Sequence, residues 1–243
     1  MSNSTGQSRR ALLAATAGGL GVAALGAPER AVAQGNPSKE DLVAVAEVER
    51  TVLLERWARD MGRWDVMAEQ YHPDSVVDIS WIKTSGPEFV RLSKASAANG
   101  TRSCHVLSPI LTDVRGDRAT ADTGAVIAGQ VVLDGVLTAL TAYARIVERL
   151  ERRGDTWRIS ELRCIYQFDQ LSPANPSDEL DIDADVLASY RESYSGLSYW
   201  VGRTRGPAAV RMDLPGIDQP ATINALYAAN AAWLSAGRNG GRP

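Results

Sequence analysis

Apolar side chains recur at helical spacing in the part of the chain that follows Ser38. The recurring positions are Leu42, Val45, Val48, Val52, Leu53 and Trp57. Such a period places apolar side chains on one face of a helix, so it predicts an amphipathic helix packed on a core. Ser38 and Asp41 have the spacing of an N-terminal capping arrangement, and Gly62 is typical of a helix end. Shorter helices are predicted over residues 64–71 and 86–97.

Strand patterns dominate the chain after residue 100. The predicted strands cover about residues 101–114, 119–133, 136–149 and 156–169, and a shorter one covers residues 75–81. Glycine–aspartate turns separate the long strands, as in hairpins. In the last strand the apolar positions change from odd to even numbers, which predicts a β-bulge near Glu161. These patterns predict an α+β fold, in which a curved antiparallel sheet packs on N-terminal helices.

The segment after the last strand is acidic and then helical. Five carboxylates lie between residues 178 and 185: Asp178, Glu179, Asp181, Asp183 and Asp185. A metal site is one interpretation of this cluster, but a solvated approach to a helix is favoured. Helices are predicted over residues 184–194 and 220–236, and this tail is expected to cover the open end of the sheet or to contact a second subunit.

Composition excludes several classes of function. The formal net charge is -3 over 243 residues, without the basic stripe expected of a nucleic-acid-binding protein. After the N-terminal region, no apolar run is long enough to span a membrane. Two cysteines, Cys104 and Cys164, lack C-x-x-C spacing, and they are interpreted either as a disulfide pair or as buried apolar residues.

The N-terminus has the features of a twin-arginine signal peptide. Arg9-Arg10 precede an uncharged stretch over residues 11–27, and Ala31-Val32-Ala33 supplies a cleavage pattern of small residues. We therefore expect residues 1–33 to be removed on export to the periplasm or the exterior. An uncleaved N-terminal anchor is the alternative.

A set of motifs in fixed order resembles the SnoaL-like family of the nuclear transport factor 2-like superfamily. The motifs are R-W-A-R-D-M-G-R-W-D at residues 56–65, Y-H-P-D-S-V-V-D-I-S-W at 71–81, G-P-E-F-V at 86–90, E-R-R-G-D-T-W-R-I at 151–159 and I-Y-Q-F-D-Q-L-S-P at 165–173. The resemblance implies a cone-shaped, cystatin-like α+β barrel over residues 38–173 and a helical C-terminal extension over residues 174–243. It also implies a homo-oligomer, a dimer or a trimer, by analogy with similar proteins.

The resemblance to scytalone dehydratase and to hexachlorocyclohexane dehydrochlorinases implies a catalytic pair. His105 matches their histidine base on the sheet, and Asp60 matches the aspartate on their first helix. Arg163 stands one residue beyond the position nearest their last-strand arginine, so a bulge is needed to bring it into the cavity. The remaining substrate-binding candidates lie on strands expected to line the cone: Trp81, Tyr143, Arg145 and Tyr166. By alternation Tyr143 and Arg145 share one face. His72 precedes a proline in a predicted turn and is expected to be exposed.

The chemistry expected of such a site is proton abstraction and elimination. Histidine suits the role of base because its usual pKa is near working pH, and an aspartate fixes its tautomer. No cofactor and no metal ion are expected, since the chain has two histidines and no H-E-x-x-H motif. Expected reactions are dehydration, dehydrohalogenation or formaldehyde loss from a hydrophobic cyclic or aromatic molecule, such as a lignin-derived aryl-propane diol. An isomerase or cyclase with the same base, and a non-catalytic ligand-binding module, are the alternatives.

Overall fold

A computed structural model describes residues 38–237, and the predicted signal peptide lies outside the described residues. The chain begins with helix α1 (Lys39–Asp60), α2 (Trp64–Glu69), strands β1 (Tyr71–Ile79) and β2 (Ile82–Ser85), and α3 (Gly86–Ala98). Five further strands follow: β3 (Arg102–Leu107), β4 (Leu111–Arg115), β5 (Arg118–Leu133), β6 (Val136–Arg153) and β7 (Thr156–Pro173). The tail adds α4 (Ala184–Ala188), α5 (Ser195–Arg205) and α6 (Pro220–Ser235), with 3-10 turns at Glu192–Tyr194 and Pro207–Ala209. The α+β fold with a curved sheet and C-terminal helices is confirmed.

The sheet has the strand order β2-β1-β7-β6-β5-β3, and β4 also pairs with β5. Adjacent strands are antiparallel except that β1 runs parallel to β7, which differs from the all-antiparallel prediction. The predicted strand over residues 101–114 is interrupted between β3 and β4, where Pro109 lies. The predicted bulge is confirmed, because register shifts between Ile159 and Glu161. A second shift between Tyr166 and Phe168 turns the Phe168 side chain away from the face that Tyr166 occupies.

Helix α1 packs on the inner face of the sheet, and only part of its predicted apolar face is buried. Ser38 and Asp41 form the predicted capping box. The buried side chains include Val48 and Val52, whereas Leu42, Leu53 and Trp57 are 55%, 49% and 50% exposed. In their place the polar side chains of Glu55 and Arg56 are buried. The buried residues of α1 are Ala44, Val48, Thr51, Val52, Glu55, Arg56 and Ala58.

The region of His72 also differs from prediction. It belongs to β1 instead of a turn, and its side chain is 3% exposed rather than at the surface. Its Nε2 lies 3.0 Å from the carbonyl oxygen of Glu151, so the ring is held by the backbone. Ser75 donates a hydrogen bond to the carbonyl of His72, which compacts the chain around Pro73.

The C-terminal helices cover both faces of the sheet. Helix α6 packs on the outer face, where Ile223 and Leu226 join Val147 and Ile165 in a separate apolar cluster. Helix α5 closes the inner face, because Leu197 and Trp200 line the cavity described below. Asp169 anchors α5 by accepting hydrogen bonds from the backbone N–H groups of Gly196 and Leu197. Within residues 38–237, no helix has the length and apolarity that a membrane span requires.

Candidate active site

His105 and Asp60 lie in direct contact at the inner face of the sheet. Asp60 ends α1, and β3 turns His105 inward because alternate residues of a strand face the same side. Asp60 Oδ1 lies 2.7 Å from His105 Nδ1, and Oδ2 accepts the His105 backbone N–H at 2.8 Å. Both carboxylate oxygens therefore hold one residue, which fixes the position of the strand and the orientation of the ring.

The neighbours of the His105 ring define its tautomer. A carboxylate only accepts hydrogen bonds, so Nδ1 carries the proton that is shared with Asp60. Arg56 Nη1 lies 3.4 Å from Nε2, and a guanidinium only donates. Nε2 therefore carries a lone pair. The two contacts agree on a neutral ring with its basic nitrogen on the side away from Asp60.

The surroundings of His105 favour the neutral imidazole. Its side chain is 3% exposed. Burial and the positive charge of Arg56 lower the pKa of His105 to about 4, although Asp60 acts in the opposite direction. Burial would raise the pKa of Asp60, but its hydrogen bonds with His105 lower that pKa below its usual value. The ring is thus uncharged at neutral pH, and the carboxyl group is ionised.

A network of buried polar groups lies behind Arg56. Glu55 contacts Arg56 at 2.7 Å and accepts a hydrogen bond from the Tyr71 hydroxyl at 2.9 Å. Burial alone would lower the pKa of Arg56, yet the Glu55 carboxylate holds it above the usual value. Glu148, which is 1% exposed, is the second acid of this network, and burial together with Glu55 raises its pKa to about 8. Arg56 is thereby fixed as a permanent cation beside the His105 ring.

A cavity of about 120 Å³ opens next to His105. Much of its wall is apolar, as the following side chains show: Ile79, Phe89, Ile127, Leu140, Ile146 and Leu162. A dry cavity of about 150 Å³ is large enough to bind benzene, so this volume suits a molecule with one ring. The arrangement presents a neutral base to an apolar compartment of small-molecule size.

Two of the predicted substrate-binding residues line this cavity. Trp81 lies at one end, packed on Phe89 with ring centroids 5.6 Å apart. Tyr166 lies on the wall, and its hydroxyl accepts a hydrogen bond from the Ser80 backbone N–H at 2.8 Å. Burial raises the pKa of Tyr166 well above its usual value, so its hydroxyl keeps its proton at neutral pH.

Three other predicted residues lie elsewhere, and their expected position at the cavity is wrong. Tyr143 and Arg145 are on the outer face of β6, because the cavity residues Leu140 and Ala142 have the opposite parity. Tyr143 stacks on Phe168 at 4.3 Å, and Arg145 pairs with Asp122 at 2.8 Å beneath α6. Arg163 pairs with Glu161 at 2.6 Å, also outside, since Leu162 faces inward.

The sequence prediction missed the arginines of α1. Arg56 and Arg59 both line the cavity. They stand on either side of Trp57 and Ala58 in the sequence, and the apolar pattern of α1 did not distinguish them from solvent-facing residues. Their spacing from Asp60 carried a usable signal. Residues four apart on a helix are neighbours, so an aspartate that holds a catalytic histidine brings the side chain at position 56 to the same place.

The cysteines form no disulfide, and the acidic segment lies outside this site. Cys104 is exposed and Cys164 is buried at the cavity wall, and neither forms a disulfide. Burial raises the pKa of the Cys164 thiol to about 12, so it is not a thiolate at neutral pH. In the acidic segment, Asp183 caps α4 by accepting the backbone N–H groups of Asp185 and Val186. Over residues 38–237, no group of three or more His, Cys, Asp or Glu residues is arranged to hold a metal ion.

Fold and site together define a small α+β domain with a buried histidine–aspartate pair at a largely apolar cavity. A SnoaL-like domain family matches residues 40–163, and the chain belongs to this family. An uncharacterized protein of Emericella nidulans is 31% identical over 199 residues, which are 78% of this chain and 82% of that protein. A PEP2-like protein of Fusarium vanettenii is 28% identical over 194 residues, with the same coverage of 78% and 82%.

Among solved structures, a type 2 hexachlorocyclohexane dehydrochlorinase is similar with a TM-score of 0.48 and 15% identity. The match covers 58% of this chain and 97% of the dehydrochlorinase. Nothing about the reaction of this chain follows from a likeness at that level, because one fold supports many unrelated activities. The function is therefore argued from the site.

Proposed function

We propose that this protein is a cofactor-independent lyase that acts on a small hydrophobic molecule with an aromatic or cyclic ring. The observation that carries the proposal is the neutral His105 ring, held by Asp60 through Nδ1 while Nε2 faces an apolar cavity. A general base needs a lone pair, a fixed orientation and a dry surrounding in which proton transfer is not intercepted by water. His105 has the lone pair and the fixed orientation, and the apolar side chains of the cavity wall limit the water around it.

In the proposed reaction, Nε2 removes a proton from a carbon atom of the substrate. The electrons of that C–H bond form a C=C bond, and the leaving group departs with the electrons of its own bond to carbon. Asp60 stabilises the imidazolium that forms, and the ring later returns its proton to the leaving group or to water. The Tyr166 hydroxyl is suited to donate a hydrogen bond to the negative charge that develops on the substrate.

Arg56 has a defined position in this scheme. Its Nη1 is directed at the lone pair of Nε2, so a substrate must approach the ring beside this guanidinium. The single lone pair of Nε2 cannot accept from Arg56 and take a substrate proton at once, so the Arg56 N–H is expected to turn aside, while Glu55 holds the guanidinium nearby, when the substrate C–H reaches Nε2 from the cavity. Arg56 is therefore proposed to position the reacting carbon and to keep Nε2 free of a proton before substrate binds.

The proposal is tested with the purified full chain and a panel of aromatic alcohols, vicinal diols and alkyl halides. A lyase produces a new alkene absorbance, and His105→Gln is expected to lower the rate about 10²- to 10⁴-fold, the contribution of a positioned base. His72→Gln is the matched control, because it removes the other histidine, which lies away from the cavity. Equal rates for the two variants would exclude His105 as the base.

The products distinguish the lyase from its alternatives. An isomerase or cyclase with the same base yields a product of unchanged mass without release of water, halide or formaldehyde. A ligand-binding module yields no product at all while still binding members of the panel. Either outcome, reproduced across the panel, replaces the lyase proposal.

We also propose that the protein acts after export, which rests on Arg9-Arg10 and on the cleavage pattern at Ala31-Val32-Ala33. Cell fractionation and N-terminal sequencing test this. Export that is unaffected when Arg9 and Arg10 are both replaced by Lys contradicts it.

A further inference from the structure

The lining of the cavity is unusual in its charge. Four arginines contribute to it: Arg56, Arg59, Arg102 and Arg205. Among the described residues that line the cavity, none is an aspartate or a glutamate. Two nearby carboxylates are already engaged, since Glu55 pairs with Arg56 and Asp60 holds His105. The apolar compartment therefore has a surplus of positive charge at its wall.

Arg59 lines the cavity beside His105 and forms no ion pair with a carboxylate among the described residues. Its Nη1 donates a hydrogen bond to Ser93 Oγ at 2.7 Å, and its guanidinium lies 5.1 Å from the centroid of the Phe89 ring. Its Nε is buried and has no hydrogen-bond partner within the described residues. Burial and the neighbouring Arg56 lower the pKa of Arg59 to about 10, so it is still a cation at neutral pH. A partly buried cation with no carboxylate in contact is costly unless a ligand supplies the opposite charge.

Arg205 places a second cation at the end of the cavity that α5 covers. Its guanidinium lies 4.9 Å from the Trp81 ring centroid and 5.8 Å from that of Trp200. It donates a hydrogen bond to the Trp81 carbonyl at 3.2 Å, and no carboxylate of residues 38–237 forms an ion pair with it. The two indole rings therefore hold Arg205 in place. Its charge is not paired with an acidic side chain of residues 38–237.

From this arrangement we infer that the ligand of the cavity is a single-ring aromatic carboxylate, with its anionic group on Arg59 and its ring among the apolar side chains near His105. Guanidinium groups recognise carboxylates through N–H donors that also carry the positive charge, and the Arg59 guanidinium lines the cavity without a carboxylate partner. The apolar wall and the volume of about 120 Å³ account for the ring. The inference names the substrate class of the proposed lyase and rests on that proposal for turnover, but not for binding.

The test compares benzoate with benzamide, which has the same shape and no charge. Binding to the full chain at pH 7 is followed by calorimetry and by the fluorescence of the cavity tryptophans. Benzoate is expected to bind about 10- to 100-fold more tightly, the range for a hydrogen bond to a charged group. If the unmodified protein binds the two probes equally, or binds neither, the inference is wrong.

Two variants assign the preference to Arg59. Arg59→Gln is expected to lose the preference for benzoate, whereas Arg50→Gln, which removes an equal charge from the exposed part of the same helix, is expected to keep it. If Arg59→Gln unfolds, Arg59→Lys replaces it. This variant retains the charge but lacks the guanidinium N–H donors, so a partial loss of preference is expected. A full preference in a folded Arg59 variant would refute the role of this residue.

Failure of this inference is separable from failure of the lyase proposal. His105→Gln is expected to abolish turnover and to retain most of the affinity for benzoate, because it leaves Arg59 unchanged. A protein that selects benzoate but converts no member of the panel, and none of the same compounds carrying a ring carboxylate, supports the anion site and contradicts the lyase. A protein that converts neutral aromatic alcohols and ignores charge supports the lyase and contradicts the anion site.

Discussion

The ionisation of His105 is the property on which the proposed mechanism depends, and it is open to direct measurement. The chain contains two histidines, so a nuclear magnetic resonance titration of labelled histidine rings gives at most two curves. His72→Gln assigns them. The His105 ring is expected to titrate near pH 4, because burial and Arg56 lower its pKa to about 4. The chemical shifts of the ring nitrogens are expected to show a proton on Nδ1.

The same shift has a calculable effect on stability. In the unfolded chain His105 has the usual pKa of 6.5. Between pH 6.5 and pH 4 this residue is therefore protonated in the unfolded chain and neutral in the folded chain. The contribution of His105 to the free energy of unfolding is fully present above pH 6.5, and it is lost as the pH falls towards 4. A shift from 6.5 to about 4 corresponds to about 3 kcal/mol at about 1.4 kcal/mol per pH unit. His105 is 3% exposed, so solvent screening reduces this figure little.

The free energy of unfolding must be measured as a difference, because another buried group acts in the opposite direction. The pKa of Glu148 is raised to about 8, so this residue stabilises the folded state at low pH and less so as the pH rises. Urea unfolding of the wild type and of His105→Gln over pH 4 to 7 cancels this contribution. The difference between the two proteins is expected to fall by about 3 kcal/mol from pH 7 to pH 4.

Variants of two residues beside His105 show whether each of them raises or lowers its pKa. Arg56→Met removes the cation beside Nε2 and is expected to raise the His105 pKa. Asp60→Asn removes the stabilising carboxylate and is expected to lower it further. A wild-type His105 that titrates at or above pH 6.5, or a pH-independent difference between wild type and His105→Gln, would refute the assignment of a buried neutral base.

Three further predictions concern groups that support the site. Glu148→Gln is expected to gain stability relative to wild type as the pH rises from 4.5 to 8, because the variant has no buried acid to ionise. The gain is at most about 5 kcal/mol. Urea unfolding at several pH values measures the difference between the two proteins, and a difference that does not change with pH would contradict the prediction. Gly86→Ala is expected to cost about 1–3 kcal/mol, because its added Cβ lies 2.6 Å from the Tyr71 ring; an unchanged melting temperature would show that the ring yields freely. Asp169→Asn is expected to cost about 1 kcal/mol, because the amide has one acceptor oxygen for the two N–H groups at the start of α5; faster proteolysis in α5 checks it, with equal cleavage of both proteins as the contrary result.

The elements of this fold were largely readable from local patterns. The capping box at Ser38, the glycine turns and the change of phase before Glu161 each reflect contacts within a few residues, and the structure confirms them. The parallel pairing of β1 with β7 was not predicted, because strands so far apart in the chain leave no local signal of their direction. The burial of His72 follows from that pairing.

The errors at the site have a different origin. Along β6 the even-numbered positions carry Leu140, Ala142 and Ile146, so alternation alone placed Tyr143 and Arg145 on the opposite face. The prediction chose Tyr143 and Arg145 because aromatic and charged side chains commonly bind ligands, and it gave this choice more weight than the alternation along β6. On α1 the reverse held, since the apolar pattern assigned the core to Trp57 while the fold buries Glu55 and Arg56. The candidate site residues thus occupy positions at which local patterning and global fold disagree, as is common at functional sites.

The charges of α1 connect the proposed base with the proposed ligand. In the empty cavity an imidazolium at His105 would be desolvated beside Arg56 and Arg59, and Asp60 offsets only part of that cost. An anion bound to Arg59 compensates one of these cations, so protonation of Nε2 becomes less unfavourable while the ligand is present. Proton abstraction is therefore expected to be easier from a carboxylate-bearing substrate than from a neutral molecule of the same shape. If both proposals hold, the ligand that the cavity selects by its charge also raises the proton affinity of His105 when that base is required.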